Sequence, residues 1–256
     1  MPMFKRPNVE INYEVHGKGF PLLIFAPGGL KSQLAHWRHS PADPTKKPSW
    51  MNPMDDLAGD FTVVAMDQRN AGHSRATVTA SDGWHSYAED QLALMDHLGH
   101  QRFHTMGGCI GASFCLKLAE LAPGRIASCV LQNPIGLHEN KKTWDDSVQA
   151  FTQLMRERDP SISEATLLAF GKNMFGPEFV FSVSREFVKG CKAPLLLQYG
   201  NDGPHPRATS DEIARLAPAG IELQENWKGP EHMAESITRV RDFLLRNTPR
   251  GAEKAA

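Results

Sequence analysis

The chain has 256 residues and sets 28 lysines and arginines against 29 aspartates and glutamates, a formal net charge of -1 that offers no field for polyanions and excludes nucleic acid as the expected partner. Hydrophobic residues at 41% and charged residues at 22% fit a packed globular chain and exclude disorder, collagen and coiled coil. No apolar run approaches the ~20 residues of a membrane helix, and the opening MPMFKRPN lacks the apolar core of a signal peptide, so the expectation is a soluble, cytoplasmic protein without a membrane partner.

Along the chain, Val9 to His16 alternates in the manner of an edge strand, and Pro21 to Ala26 is a short continuous apolar run that reads as a buried strand ending in Pro27, Gly28 and Gly29. The segment from Leu30 to Trp50 reads as loop. Phe61 to Met66 is the next strand, followed by the polar loop Asp67 to Ser74, which is expected to be a structural corner without chemistry. Leu92, Met95 and Leu98 recur at helical spacing within Tyr87 to Leu98, and Gly99 stops that helix. Arg102 to Met106 predicts a strand, Gly107 and Gly108 a sharp turn, and Ile110 to Leu121 a helix. Further strands are predicted at Ile126 to Gln132, Pro194 to Tyr199 and around Ile221 to Glu225. Helices follow at Ser210 to Leu216 and from about Ile237 to Arg246, with Gly251 to Ala256 as a frayed tail.

This alternation predicts an α/β class protein with a mostly parallel sheet flanked by helices. Between Leu137 and Lys192 the pattern changes, because helical segments near Trp144 to Arg156 and Glu164 to Asn173 have no strand between them. Residues 137–192 therefore read as a small helical cap inserted into a core domain made of 1–136 and 193–256. The cap's apolar residues, Phe151 and Phe170 among them, are expected mainly to pack and secondarily to wall a pocket.

Four cysteines, Cys109, Cys115, Cys129 and Cys191, show no CxxC spacing and sit in apolar segments, so reduced thiols are expected rather than a disulfide framework or a zinc site. One of them stands apart. Gly107-Gly108-Cys109-Ile110-Gly111 has the form GxCxG between a strand and a helix. A nucleophile in that position must adopt a strained turn, and glycines two before and two after it remove Cβ clashes. The positive end of the following helix favours the thiolate over the thiol. The competing reading is a small buried hydrophobe in a glycine-rich turn.

With PGG at Pro27 to Gly29, DQRNAGHS at Asp67 to Ser74, this elbow, YGND at Tyr199 to Asp202 and GPEH at Gly229 to His232 in order, the chain resembles the α/β-hydrolase fold family over nearly its whole length. The resemblance implies a nucleophile, acid, histidine series, for which the sequence supplies Cys109, Asp202 and His232. Two features depart from the family's common pattern: Cys replaces Ser as nucleophile, a minority variant similar to dienelactone hydrolases and a few thioesterases, and Pro-Gly-Gly replaces His-Gly at the oxyanion turn.

Asp202 closes an apolar strand at the sheet edge where open parallel sheets place their sites, and a carboxylate there can fix a histidine's tautomer. His232 is expected in a loop before the last helix. His205, three residues from Asp202, is its rival but reads as lining the mouth or as structural, and Glu231 is the reserve acid. Oxyanion donors are expected at the N–H of Ile110 and of Gly29 or Leu30. The function that follows is hydrolysis of a small activated ester, lactone or thioester through an acyl-enzyme, without metal or cofactor. The partner is a small acyl compound, and a homodimer is left open. The alternative is a non-hydrolytic member of the fold, either a ligand-binding, receptor-like protein or an acyltransferase.

Overall fold

The computed structural model describes residues 2–250, so the tail expected at Gly251 to Ala256 lies outside the described residues. In chain order the strands and helices are β1 (Met3–Arg6), β2 (Val9–His16), β3 (Phe20–Phe25), α1 (Pro53–Asp56), β4 (Phe61–Met66), β5 (Arg75–Ala76), α2 (Trp84–His97), β6 (Phe103–Gly108), α3 (Ile110–Leu121), β7 (Ile126–Gln132), α4 (Lys141–Arg158), α5 (Glu164–Phe175), α6 (Arg185–Gly190), β8 (Leu195–Gln198), α7 (Arg207–Leu216), β9 (Glu222–Gln224) and α8 (Pro230–Asn247). They form one sheet in the order β1-β2-β4-β3-β6-β7-β8-β9, with β5 paired to β2. From β4 to β9 every pairing is parallel, and β1, β2 and β5 join antiparallel.

Residues two apart on a strand share a face, and β3 shows what that does. Leu23 and Phe25 enter the core shared with α2 and α3, whereas Leu22 and Ile24 enter the opposite core with Val240, Phe243 and Leu244 of α8. Helices therefore cover both faces, which is why the inner strands read as continuous apolar runs. Phe114 of α3 anchors the first core, its ring 5.7 Å from Phe25, 5.3 Å from Trp84 and 5.1 Å from Tyr87. Asp67, in the loop after β4, accepts from Asn12 Nδ2 and the N–H groups of Leu34 and His73, while Arg69 pairs with Asp82 and Asp90. Those groups are structural.

The structure differs from the sequence expectations at three places that matter. β2 is interior, because the unpredicted β1 pairs along it as the edge strand, Met3 opposite Asn12 through Arg6 opposite Val9. The stretch after β3 is partly ordered as two 3₁₀ turns, Gly29–Lys31 and Leu34–Trp37. Helix α8 starts at Pro230 rather than near Ile237, since Gly229 caps it at φ 90° and proline suits the first helical position, where no N–H partner is needed. His232 is thus on a helix, not in a loop. Between β7 and β8 lie α4, α5 and α6, and Phe151 of α4, Phe170 of α5 and Phe179 and Phe181 of the connection between α5 and α6 are buried in packing.

Phe114 is 1% exposed at the junction of α3, α2 and the sheet. Phe114→Ala is expected to cost about 3–5 kcal/mol in a urea titration, and a loss below about 1 kcal/mol would contradict this packing.

Candidate active site

Strand β6 ends at Gly108 in the middle of the sheet and α3 begins at Ile110, so a single residue, Cys109, makes the reversal. It does so at φ 59° and ψ -120°, a region that costs a non-glycine residue about 1–3 kcal/mol. The flanking glycines are dictated by crowding. A Cβ on Gly107 would lie 2.2 Å from the Gly111 carbonyl, and one on Gly111 would lie 2.4 Å from the Phe25 carbonyl oxygen. The Cys109 N–H donates to Gln132 O at 3.0 Å, which ties the turn to the end of β7.

Below the turn, three buried amides hold the carboxyl ends of β7, β8 and β9 together. Gln132 Nε2 donates to Gln198 Oε1 at 2.7 Å, and Gln198 Nε2 donates to Gln224 Oε1 at 2.7 Å and to Ser236 Oγ at 2.9 Å. The loop that leaves β8 carries the next two groups. Asp202 and His205 close a tight turn through paired backbone hydrogen bonds, and Asp202 Oδ1 accepts from the His205 N–H at 3.0 Å and lies 2.5 Å from His205 Nδ1. Gly200 makes room for this turn, because a Cβ there would lie 2.6 Å from the His205 carbonyl oxygen.

His205 meets the sulfur of Cys109. With Nδ1 committed to Asp202, the nitrogen left for the thiol is Nε2, which is buried and completes no hydrogen bond. The two groups ionise each other. Burial alone would raise the Cys109 thiol, but the His205 charge and contact, with the N–H groups of Gly28 and Gly29, outweigh it and bring the thiol down to about 7. Burial would lower His205, yet the thiolate and the Asp202 carboxylate lift it to about 9. Asp202, despite burial, is held below the ordinary carboxylate range by the His205 contact and charge and by the charge of Lys228.

Of the expected oxyanion donors, Ile110 opens α3, where the first N–H groups lack intrahelical partners, and Gly29 faces the sulfur. Gly28 faces the sulfur as well, and the side chain of Leu30, the other expected donor, is buried in the core. The turn needs glycine at both places, with φ 129° at Gly28 and 57° at Gly29, and it is pinned by Ser32 Oγ donating to Ala26 O at 2.6 Å and by His36 Nδ1 donating to Pro27 O at 2.7 Å. Helix α4 lies over it, with Ser147 Oγ 3.6 Å from where a Gly29 Cβ would be.

The expected histidine, His232, sits in the first turn of α8 with Nε2 3.7 Å from the Glu231 carboxylate, and the imidazole beside Asp202 and Cys109 is that of His205. Glu231, the reserve acid, is likewise on α8 and mostly exposed. The signal for His205 was the proline-bounded string Asp-Gly-Pro-His-Pro, because a tight turn brings an acid and a histidine three apart into contact. Lys228, just before the Gly229 cap of α8, carries no motif in the sequence. Among the described residues no group of three or more His, Cys, Asp or Glu is placed to hold a metal ion.

A family model described as alpha/beta hydrolase fold matches residues 21–210. Among curated proteins, the chain is 29% identical over 125 residues to "Putative carbamate hydrolase RutD" of Variovorax paradoxus, a match over 49% of this chain and 42% of that protein, so it spans less than half of that relative's length. Among solved structures it is similar to a meta-cleavage product hydrolase from Pseudomonas fluorescens, at 17% identity and TM-score 0.69 over 96% of this chain and 98% of that one. The enol-lactonase from Burkholderia xenovorans gives 21% identity and TM-score 0.66 over 95% and 100%. With its family match covering most of its length, the chain belongs to the alpha/beta hydrolase fold family.

Proposed function

We propose that the protein hydrolyses small activated esters, lactones or thioesters through an acyl-enzyme on Cys109, with His205 as acid and base and Asp202 holding the imidazole. The observation that carries this reading is the series at the elbow, Asp202 Oδ1 2.5 Å from His205 Nδ1 and the His205 ring against the Cys109 sulfur, which brings the thiol down to about 7 and the imidazole up to about 9. Opposed shifts of this kind mark an activated nucleophile and its proton carrier.

In the proposed reaction the Cys109 thiolate attacks the acyl carbon, and the carbonyl electron pair moves onto oxygen, where the N–H groups of Ile110 and the Gly28-Gly29 turn stabilise it. The adduct collapses, the bond to the leaving group breaks, and His205 Nε2 gives its proton to the departing oxygen or sulfur. The neutral imidazole then takes a proton from water, the water oxygen attacks the thioester, and the thiolate departs. An adduct with an amine leaving group expels the better-leaving thiolate unless His205 first protonates the amine, so esters, lactones and thioesters are better substrates than ordinary amides. The matched proteins named as an enol-lactonase and a carbamate hydrolase agree with an acyl-cleaving reading.

Three outcomes test it. Iodoacetamide is expected to label Cys109 ahead of Cys115 and Cys129, at a rate whose pH midpoint lies near 7, as read by peptide mass spectrometry, because burial pushes Cys115 up to about 12 and Cys129 well above the ordinary range. First labelling at Cys115 or Cys129 would remove the proposed nucleophile. On 4-nitrophenyl acetate, Cys109→Ala abolishes turnover and His205→Ala lowers kcat/KM by about 100-fold or more, while His232→Ala stays within about threefold. The reverse order for the two histidines would restore His232 to the site. For an alkyl ester, kcat/KM is expected to rise as pH passes about 7 and the thiol deprotonates, then fall above about 9 as the imidazolium loses the proton the leaving group needs. A profile governed only by an ionisation near the ordinary thiol range would contradict the pairing.

A further inference from the structure

The connection from β9 to α8 is fastened onto the loop that carries Asp202. Trp227, 2% exposed, donates from Nε1 to Tyr199 O at 2.8 Å, the Tyr199 N–H donates to Gln224 O at 3.0 Å, and the Gly229 N–H donates to Ser49 O at 2.8 Å. Between these anchors stands Lys228, whose Nζ lies 5.0 Å from the centroid of the Trp227 ring. This ammonium is partly buried and near enough to Cys109 and Asp202 to feel both charges.

The neighbouring carboxylates are engaged elsewhere. Asp202 is taken by His205, Glu225 pairs with Arg207 at 3.0 Å, and Glu231 lies by the His232 ring. Among the described residues Lys228 forms neither a hydrogen bond nor an ion pair, although its three N–H groups each need an acceptor. Partial burial opposes its charge and lowers its proton affinity, more than the charges of Asp202 and Cys109 restore it.

We propose that Lys228 is a specificity-determining residue of the Cys109 site and that the natural acyl substrate carries a carboxylate, which the Lys228 ammonium binds while the acyl carbon faces the sulfur. The proposal rests on the reading of Cys109 as nucleophile. A carboxylate suits a lysine that offers a compact charge and rotatable donors rather than the planar fork of an arginine. The Trp227 face below the ammonium holds its stem and limits where that charge can move.

The test compares charged and neutral reagents of one shape. Alkylation of Cys109 by iodoacetate and by iodoacetamide is measured in the wild-type protein, Lys228→Met and Lys228→Arg, alongside kcat/KM for 4-nitrophenyl hemiglutarate and its neutral methyl ester. The expected result is an iodoacetate-to-iodoacetamide ratio above that of free cysteine, a fall in that ratio of roughly tenfold in Lys228→Met, partial recovery in Lys228→Arg, and a parallel fall in the ester ratio. A ratio unmoved by Lys228→Met overturns the role of Lys228 and leaves the nucleophile standing. Charge-selective alkylation without any ester turnover overturns the hydrolase reading and leaves carboxylate recognition standing. Should Lys228→Met fail to fold, glutarate must still slow iodoacetamide labelling of wild-type Cys109 more than glutaramide does, and equal protection overturns the proposal.

Discussion

Burying a thiol ordinarily makes it a worse acid, because the charged form loses water and gains nothing. Cys115 and Cys129, both fully buried, obey that rule and are pushed up. Cys109 is also buried, at 9% exposure, and moves the other way because an imidazole and two backbone N–H groups meet its sulfur. The difference among these cysteines is therefore not burial but company, and the rest of the site consists of devices that keep that company in place.

Those devices are mostly backbone. The elbow spends strain at Cys109 to lift the side chain off the sheet, and the glycines at 107 and 111 are needed because the backbone of β3 and α3 occupies the space a Cβ would take. The amides of Gln132, Gln198 and Gln224 keep three strand ends level, so the Cys109 turn and the Asp202 loop leave the same edge at fixed separation. Since buried amides without partners are costly, a slip of any of the three strands out of register is destabilising. His36, donating to Pro27 O, does the corresponding work for the glycine turn.

Much of this was legible in the sequence. The runs that became β3, β4 and β7 are apolar because helices cover both faces, and the elbow was readable because GxCxG between a strand and a helix admits few conformations. β1 was not legible, since MFKR is too short and mixed to separate from a tail, and only its pairing with β2 makes it a strand. His232 was assigned by its place in the chain, which takes the loop before the last helix to be long. Gly229 followed by Pro230 marks a helix start and shortens that loop, so the histidine is carried onto α8 while Lys228 remains in the connection. The pairing of His205 with Asp202 depends on a local turn geometry that periodicity does not register.

The account depends most on His205 carrying a proton because Cys109 has given one up. Nitrogen-15 chemical shifts of the His205 ring, followed from pH 6 to 10 in the wild-type protein and in Cys109→Ala, read that directly. An imidazolium at pH 8 that titrates near 9, and that returns toward the ordinary histidine range once the sulfur is removed, is the predicted result. A neutral His205 ring at pH 8 in the wild-type protein, unchanged in Cys109→Ala, would contradict it.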